Sequence, residues 1–122
     1  MKSHKDLEVW KRSVILVTSI YTITKGFPQN EVYGLTNQIR RAAVSIPSNI
    51  AEGAARKNTK EFIQFLYIAL GSLSELETQI IISHNLNYAS ENELNLIQSE
   101  LTEIRKMILG LVNFLKNKKQ SL

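Results

Sequence analysis

The sequence predicts an all-α chain, an antiparallel up-down-up-down four-helix bundle. Three observations carry this. Apolar residues recur at steps of three and four along four separate stretches, the period of one helix face, and no alternating strand pattern persists. Glycine and proline number only five and two in 122 residues, so breakers are few. The links between the stretches are short, which favours antiparallel neighbours. A chain of 122 residues is one domain by length. It buries about two thirds of its unfolded surface, enough for one core without staples.

The first helix covers about residues 6–25, with Leu7, Trp10, Val14, Val17 and Tyr21 as its apolar face. Gly26 followed by Pro28 ends it in the expected order. The second covers about 33–55. Asn58 with Glu61 three residues later reads as a capping box that starts the third, about 59–87 and ~44 Å long at 1.5 Å per residue. Its steps are Phe62, Leu66, Ala69, Leu73, Leu76 and Ile80, and residues 62–70 are apolar almost all round, which predicts burial on several sides. Ser90 with Glu93 opens the fourth helix, about 90–117. Leu94, Ile97, Leu101, Ile104, Ile108, Leu111 and Leu115 then make an unbroken heptad seam. Residues 117–122 are expected to fray.

The second helix is unusual. Pro47 lies inside it, where it removes a backbone donor and clashes with the preceding turn, at about 3 kcal/mol. Either the helix is kinked there, or Pro47 ends one helix and Ser48 or Asn49 caps another. On a helical wheel Ile39, Ala43, Ile46 and Ile50, with Leu35 and Ala42, form a core stripe. Val44, Pro47, Ala51, Ala54 and Ala55 form a second arc beside it, so the apolar surface is roughly 200° wide, about twice what a surface helix needs. Arg41, Ser45, Ser48, Asn49, Glu52 and Arg56 fill the polar remainder. Small residues permit close helix approach, so the second arc is expected to pack on another copy of the chain; the alternative is a loosely exposed alanine-rich face.

There is no cysteine, which excludes disulfides and thiolate metal sites and suits a reducing cytoplasm. The N-terminal residues show no signal-peptide pattern, and the longest unbroken apolar run, 66–70, is too short to span a bilayer. A cytoplasmic protein without a membrane partner is expected. Net charge is +4 and uneven: residues 1–60 hold ten Lys/Arg against four Asp/Glu, and 61–122 five against seven. This asymmetry reads either as solubility or as a nucleic-acid partner, and copies assembled with their basic halves aligned would multiply the field.

Catalytic and metal chemistry is not visible. Di-metal bundles use Glu-x-x-His on two helices, and neither His4 nor His84 has a glutamate at that spacing. His84 reads as a polar residue near a helix end and His4 as part of a mobile terminus. Ser45, Ser48 and Ser72 lack a nucleophile elbow and a histidine partner, and no glycine loop cradles a phosphate. Phe62, Phe65 and Tyr67 read as core rather than as base-stacking platforms, Trp10 as core or interface, and the mid-helix Gly71 and Gly110 as points of close packing. Glu75 reads either as an interface partner of Arg40 or Arg41 or as a solvated charge. No enzyme and no cofactor are expected.

The basic positions Arg40, Arg41, Arg56, Lys57 and Lys60 are therefore the candidate phosphate contacts. Glu52 and Arg56 can instead simply pair at i,i+4, for about 0.3–0.5 kcal/mol.

The run QIRRAAVSIPSNIAEG over residues 38–53 resembles the signature of the 23S rRNA intervening-sequence proteins, also called the four helix bundle or S23 family. LEVW at 7–10, Phe27 with Pro28, EVYGLT at 31–36, and Glu61 with Phe62 leading to ALGSLSELE at 69–77 fit as well. The resemblance implies a bacterial four-helix bundle assembled into a ring of five, with no enzymatic activity. The family is similar to the accessory variability determinant proteins of diversity-generating retroelements, basic pentamers that bind nucleic acid and a reverse transcriptase. Two functions follow as expectations. One is a non-enzymatic adaptor that binds RNA or DNA weakly and without sequence specificity, presenting it to a protein partner. The other is a structural or protein-interaction scaffold whose arginines, Arg40 and Arg41 above all, stabilise subunit interfaces.

Overall fold

Residues 3–120 are described by the structure, a computed structural model. Among them there is no strand. A single 3-10 turn, His4–Asp6, precedes α1 (Glu8–Thr24); a second, Gln29–Glu31, lies in the link to α2 (Leu35–Ala54); α3 (Thr59–Asn85) and α4 (Glu91–Gln120) follow. Neighbouring helices run side by side in the order α1 to α2, α2 to α3, α3 to α4 and α4 to α1, and among the described residues neither diagonal pair brings its backbones as close. This closed neighbour order is the four-helix bundle the periodicity predicts. α4 continues past the expected end at 117; residues 121–122 of the segment expected to fray lie outside the described residues.

The Ser90 capping box forms in full, whereas at Asn58 only half of it does, because the Glu61 carboxylate accepts from the Asn58 side-chain amide at 2.8 Å rather than from its backbone N–H. Asn58 Oδ1 accepts from Glu61 N–H at 2.8 Å, and Ser90 Oγ from Glu93 N–H at 3.1 Å while Glu93 returns a carboxylate oxygen to Ser90 N–H. α3 stops at Asn87, whose φ of 65° is the left-handed conformation that lets Tyr88 N–H reach back to Ser83 O at 2.8 Å. His84 Nδ1 lies 3.1 Å from Ala89 O in the same turn. His4 is not loose, as expected, but sits in the capped N-terminal turn with its ring edge-on to Trp10 at 5.0 Å.

α1 is rotated from the face expected for it. Val9, Ser13, Leu16, Ile20, Ile23 and Thr24 are buried, whereas Val14 and Tyr21 are exposed and Leu7, Trp10 and Val17 pack only at the margin. The true stripe is masked in the sequence by two hydroxyl residues. Each satisfies its hydroxyl on its own helix: Ser13 Oγ donates to Trp10 O at 2.9 Å and Thr24 Oγ1 to Ile20 O at 2.7 Å. In α4 the heptad also slips. Ile97, Leu101, Ile104, Ile108 and Leu115 are buried, but Val112 takes the place expected for Leu111. A straight helix at 3.6 residues per turn drifts about 20° per heptad, which brings Val112 in and leaves Leu111 half-buried at the margin of the core.

α2 and α3 hold the centre. α2 runs unbroken through Pro47, so Ser48 and Asn49 cap no second helix. The Asn49 amide donates to Ser45 O at 2.8 Å and Ser45 Oγ at 2.9 Å, and Ser45 and Ser72 hydroxyls share a hydrogen bond of 2.9 Å across to α3. Ile39, Ala42, Ala43, Ile46 and Ile50 are buried, as is the expected α3 stripe from Phe62 to Ile80. At the α2 end Gly53 allows α3 to approach closely: a Cβ there would lie 2.9 Å from Phe62 Cδ1. α3 is long and apolar enough by composition to cross a membrane, but its buried stripe is spent on α2 and α4. Its first half is not buried on several sides within the chain; Tyr67 and Ile68 are exposed.

Candidate nucleic-acid interface on α2

Arg40 is the most fixed of the basic candidates. Its Nε donates to Thr24 Oγ1 at 2.8 Å, and its guanidinium lies 4.5 Å over the Tyr21 ring. Thr24 is buried and gives its own proton to the backbone, so its oxygen is left as an acceptor aimed at α2. Arg40 thus tethers α1 to α2, and among the described residues both of its terminal nitrogens are without a partner.

Arg41 is different. It is exposed, makes no hydrogen bond or ion pair among the described residues, and stands between two clefts. One, of about 470 Å³, is shared with Tyr21, Asn37, Arg40 and Val44. The other, of about 310 Å³, lies against α3 and is shared with Gln38, Glu75 and Gln79. Arg41 and Glu75 therefore face one cleft without closing an ion pair. Gln79 is buried there with its Oε1 unpaired.

The other three candidates gather past the end of α2. Arg56 Nη2 bonds Glu52 Oε2 at 3.0 Å and its guanidinium lies 4.8 Å over the Phe65 ring, so it pairs within the helix as the i,i+4 spacing allows. Lys57 and Lys60 are exposed and have no partner among the described residues. Arg41 and Ala54, the last residue of α2, are 13 positions apart, about 20 Å along the helix at 1.5 Å per residue, and Lys57 lies beyond that end. The five candidates thus form two clusters at opposite ends of α2.

The small-residue arc of α2 is half covered by the chain itself. Pro47 is buried, Ala54 packs on the core, Ala51 is half-buried, and Val44 and Ala55 are exposed. Gly71 and Gly110 are not points of close packing inside the chain: an added Cβ would meet nothing within 4 Å at either. Tyr67 is not core; its hydroxyl accepts from Lys116 Nζ at 2.9 Å on the surface. Tyr21, Thr24 and Gln79 are the site residues that sequence reasoning missed. Thr24 and Gln79 carry a faint signal, being polar residues in register with an apolar stripe.

Among the described residues no three His, Asp or Glu side chains gather to hold a metal. The sequence profile described as 23S rRNA-intervening sequence protein matches residues 5–110. No curated protein matches the chain. A solved structure superposes with a TM-score of 0.79 at 25% identity, covering 85% of this chain and 97% of its own. That protein, from Bacteroides thetaiotaomicron, is described as of unknown function and of the S23 ribosomal protein family.

Proposed function

Because the chain belongs to the 23S rRNA-intervening sequence protein family, we propose that it works as a non-enzymatic homo-oligomer in the cytoplasm that binds RNA or DNA weakly and without sequence specificity. One observation carries the reading. Arg41, Lys57 and Lys60 stand exposed on α2 and its exit without a carboxylate partner, whereas Lys11, Arg12, Arg56, Arg105 and Lys106 are each paired. Uncompensated cations attract phosphates through charge, and their effect is multiplied when identical chains present them together. A ring, for which five copies is the expectation, would repeat the Lys57–Lys60 pair along one rim.

Oligomerisation is supported by the outer side of α3. A glycine inside an exposed helix is unfavourable by about 0.5–1 kcal/mol relative to alanine. Gly71 has no neighbour in its own chain to explain it, and Tyr67, Ile68 and Ile82 on this helix are exposed. Approach of a second copy would account for all four. Sedimentation at micromolar concentration tests this half of the reading, and a monomer there overturns it. Filter binding to single-stranded RNA, structured RNA and duplex DNA at ~50 mM salt, where phosphate contacts are strong, tests the other half. The second reading, a scaffold whose arginines serve assembly, is favoured by Arg40 alone, which is already engaged on α1.

A further inference from the structure

The turn between α1 and α2 closes over a cleft of about 170 Å³ whose lining includes Lys25, Gln29, Thr36 and Arg40 and no carboxylate. Thr36 is 4% exposed, and its hydroxyl has no hydrogen-bond partner. Buried hydroxyls are almost always paired, so this one marks a missing acceptor. Arg40 is set beforehand: Thr24 holds its Nε at 2.8 Å and Tyr21 supports its face at 4.5 Å. Its terminal nitrogens are left to donate. Lys25 is exposed, lies on the same cleft and is unpaired among the described residues. Thr36 also sits in the first turn of a 20-residue helix whose N-cap, Gly34, offers no side-chain acceptor. That end is capped instead by Glu31, whose Oε1 accepts from Leu35 N–H, so the positive charge of the cleft comes from the two cations. The carboxylate of this turn, Glu31, does not line the cleft. Its two oxygens are taken by Leu35 N–H at 3.2 Å and Tyr88 O–H at 3.0 Å.

We propose that this cleft binds a phosphate group, with Arg40 and Lys25 supplying charge and the Thr36 hydroxyl a buried donor. A carboxylate-free pocket that pairs a planar guanidinium fork with an ammonium and a hydroxyl matches the several acceptor oxygens of a phosphate. The phosphate is either that of a polynucleotide backbone, which deepens the nucleic-acid reading above, or that of a small phosphate monoester, which does not depend on it.

The test uses the full chain and inorganic phosphate as probe, followed by calorimetric titration and by melting temperature against chloride at equal ionic strength. Thr36→Val and Lys25→Gln are the variants, because neither residue makes a hydrogen bond or ion pair whose loss would unfold the chain. Phosphate is expected to bind and to raise the melting temperature, and each variant to weaken its binding at least threefold. In phosphate-free buffer Thr36→Val is expected to be at least as stable as the parent, a result a merely structural hydroxyl would not give. Absence of phosphate binding overturns the proposal, and so does binding that Thr36→Val leaves unchanged. If the variants lose phosphate and also lose affinity for a single-stranded oligonucleotide, the phosphate belongs to a polynucleotide. If they lose phosphate alone, it belongs to a monoester, and the fate of the nucleic-acid reading rests on Arg41, Lys57 and Lys60 instead.

Discussion

Gly53 and Phe65 approach so closely that a methyl group on the glycine Cα would lie 2.8 Å from the Phe65 Cβ. The same methyl would lie 2.9 Å from Phe62 Cδ1 and 3.2 Å from Phe62 O. Two of these three atoms belong to or adjoin the backbone and cannot swing aside. Helix propensity favours alanine over glycine by about 0.8–1.0 kcal/mol, whereas overpacking costs about 1–3 kcal/mol. Overpacking wins here. Gly53→Ala is expected to destabilise the chain by about 1–2 kcal/mol in urea unfolding. A stabilised variant would show that α2 and α3 do not meet as described.

Gly71→Ala carries the opposite sign. Nothing stands within 4 Å of the added Cβ, so the isolated chain should gain about 0.5–1 kcal/mol. In an assembly that packs on this side of α3, the methyl intrudes. We expect the variant to melt higher at low protein concentration and to associate less in sedimentation. A variant that melts higher and associates as before would place the contact between copies elsewhere.

Thr24→Val and Thr36→Val form a matched pair. The first removes the acceptor for Arg40 Nε, a hydrogen bond to a charged group, and is expected to cost about 1–2 kcal/mol after allowance for the partial exposure of Arg40. The second removes a hydroxyl with no partner and is expected to be neutral or stabilising. Urea unfolding of both in phosphate-free buffer checks the contrast.

Tyr88 links the α3–α4 turn to the α1–α2 link. Its hydroxyl donates to Glu31 at 3.0 Å, and its ring packs on Phe27 at 5.5 Å. The hydrogen bond to Glu31, then burial and the glutamate charge, raise the phenol above its usual value of 10.0. The folded state keeps this proton when the unfolded chain has begun to lose it. The contribution is therefore complete below about pH 10 and falls as pH rises through the raised folded value. Tyr88→Phe should melt with a shallower decline than the parent above pH 10, measured by circular dichroism. Parallel slopes would mean that the phenol and Glu31 do not meet.

Much of the fold was legible because helix period and capping chemistry are local. The Asn58 cap, the Ser90 box and the α3 stripe follow from spacing alone. The α1 face was misread because Ser13 and Thr24 interrupt the true stripe, and the hydroxyl-to-backbone bonds that make them tolerable there are invisible in a hydropathy pattern. Leu111 packs at the core margin and Val112 is the more deeply buried of the two, because a heptad is only an approximation to 3.6 residues per turn. For the site, the basic residue types were legible but which of them are already engaged was not. Which cations are already paired depends on partners such as Glu52, one turn away, or Thr24 and Tyr21, on another helix. Gly53 and Gly71 are both helical glycines in the sequence, and only the neighbour across the bundle tells them apart.

The most direct test is the salt dependence of single-stranded RNA binding, for the parent chain and for Arg41→Gln with Lys57→Gln and Lys60→Gln combined. Each phosphate contact contributes about −0.7 to the slope of log K against log salt for a single strand. The parent is expected to bind at ~50 mM salt with a steep negative slope, and the triple variant to bind more weakly with a slope shallower by about 1–2. Equal slopes for the two proteins, or no binding by the parent at that salt, would contradict the account.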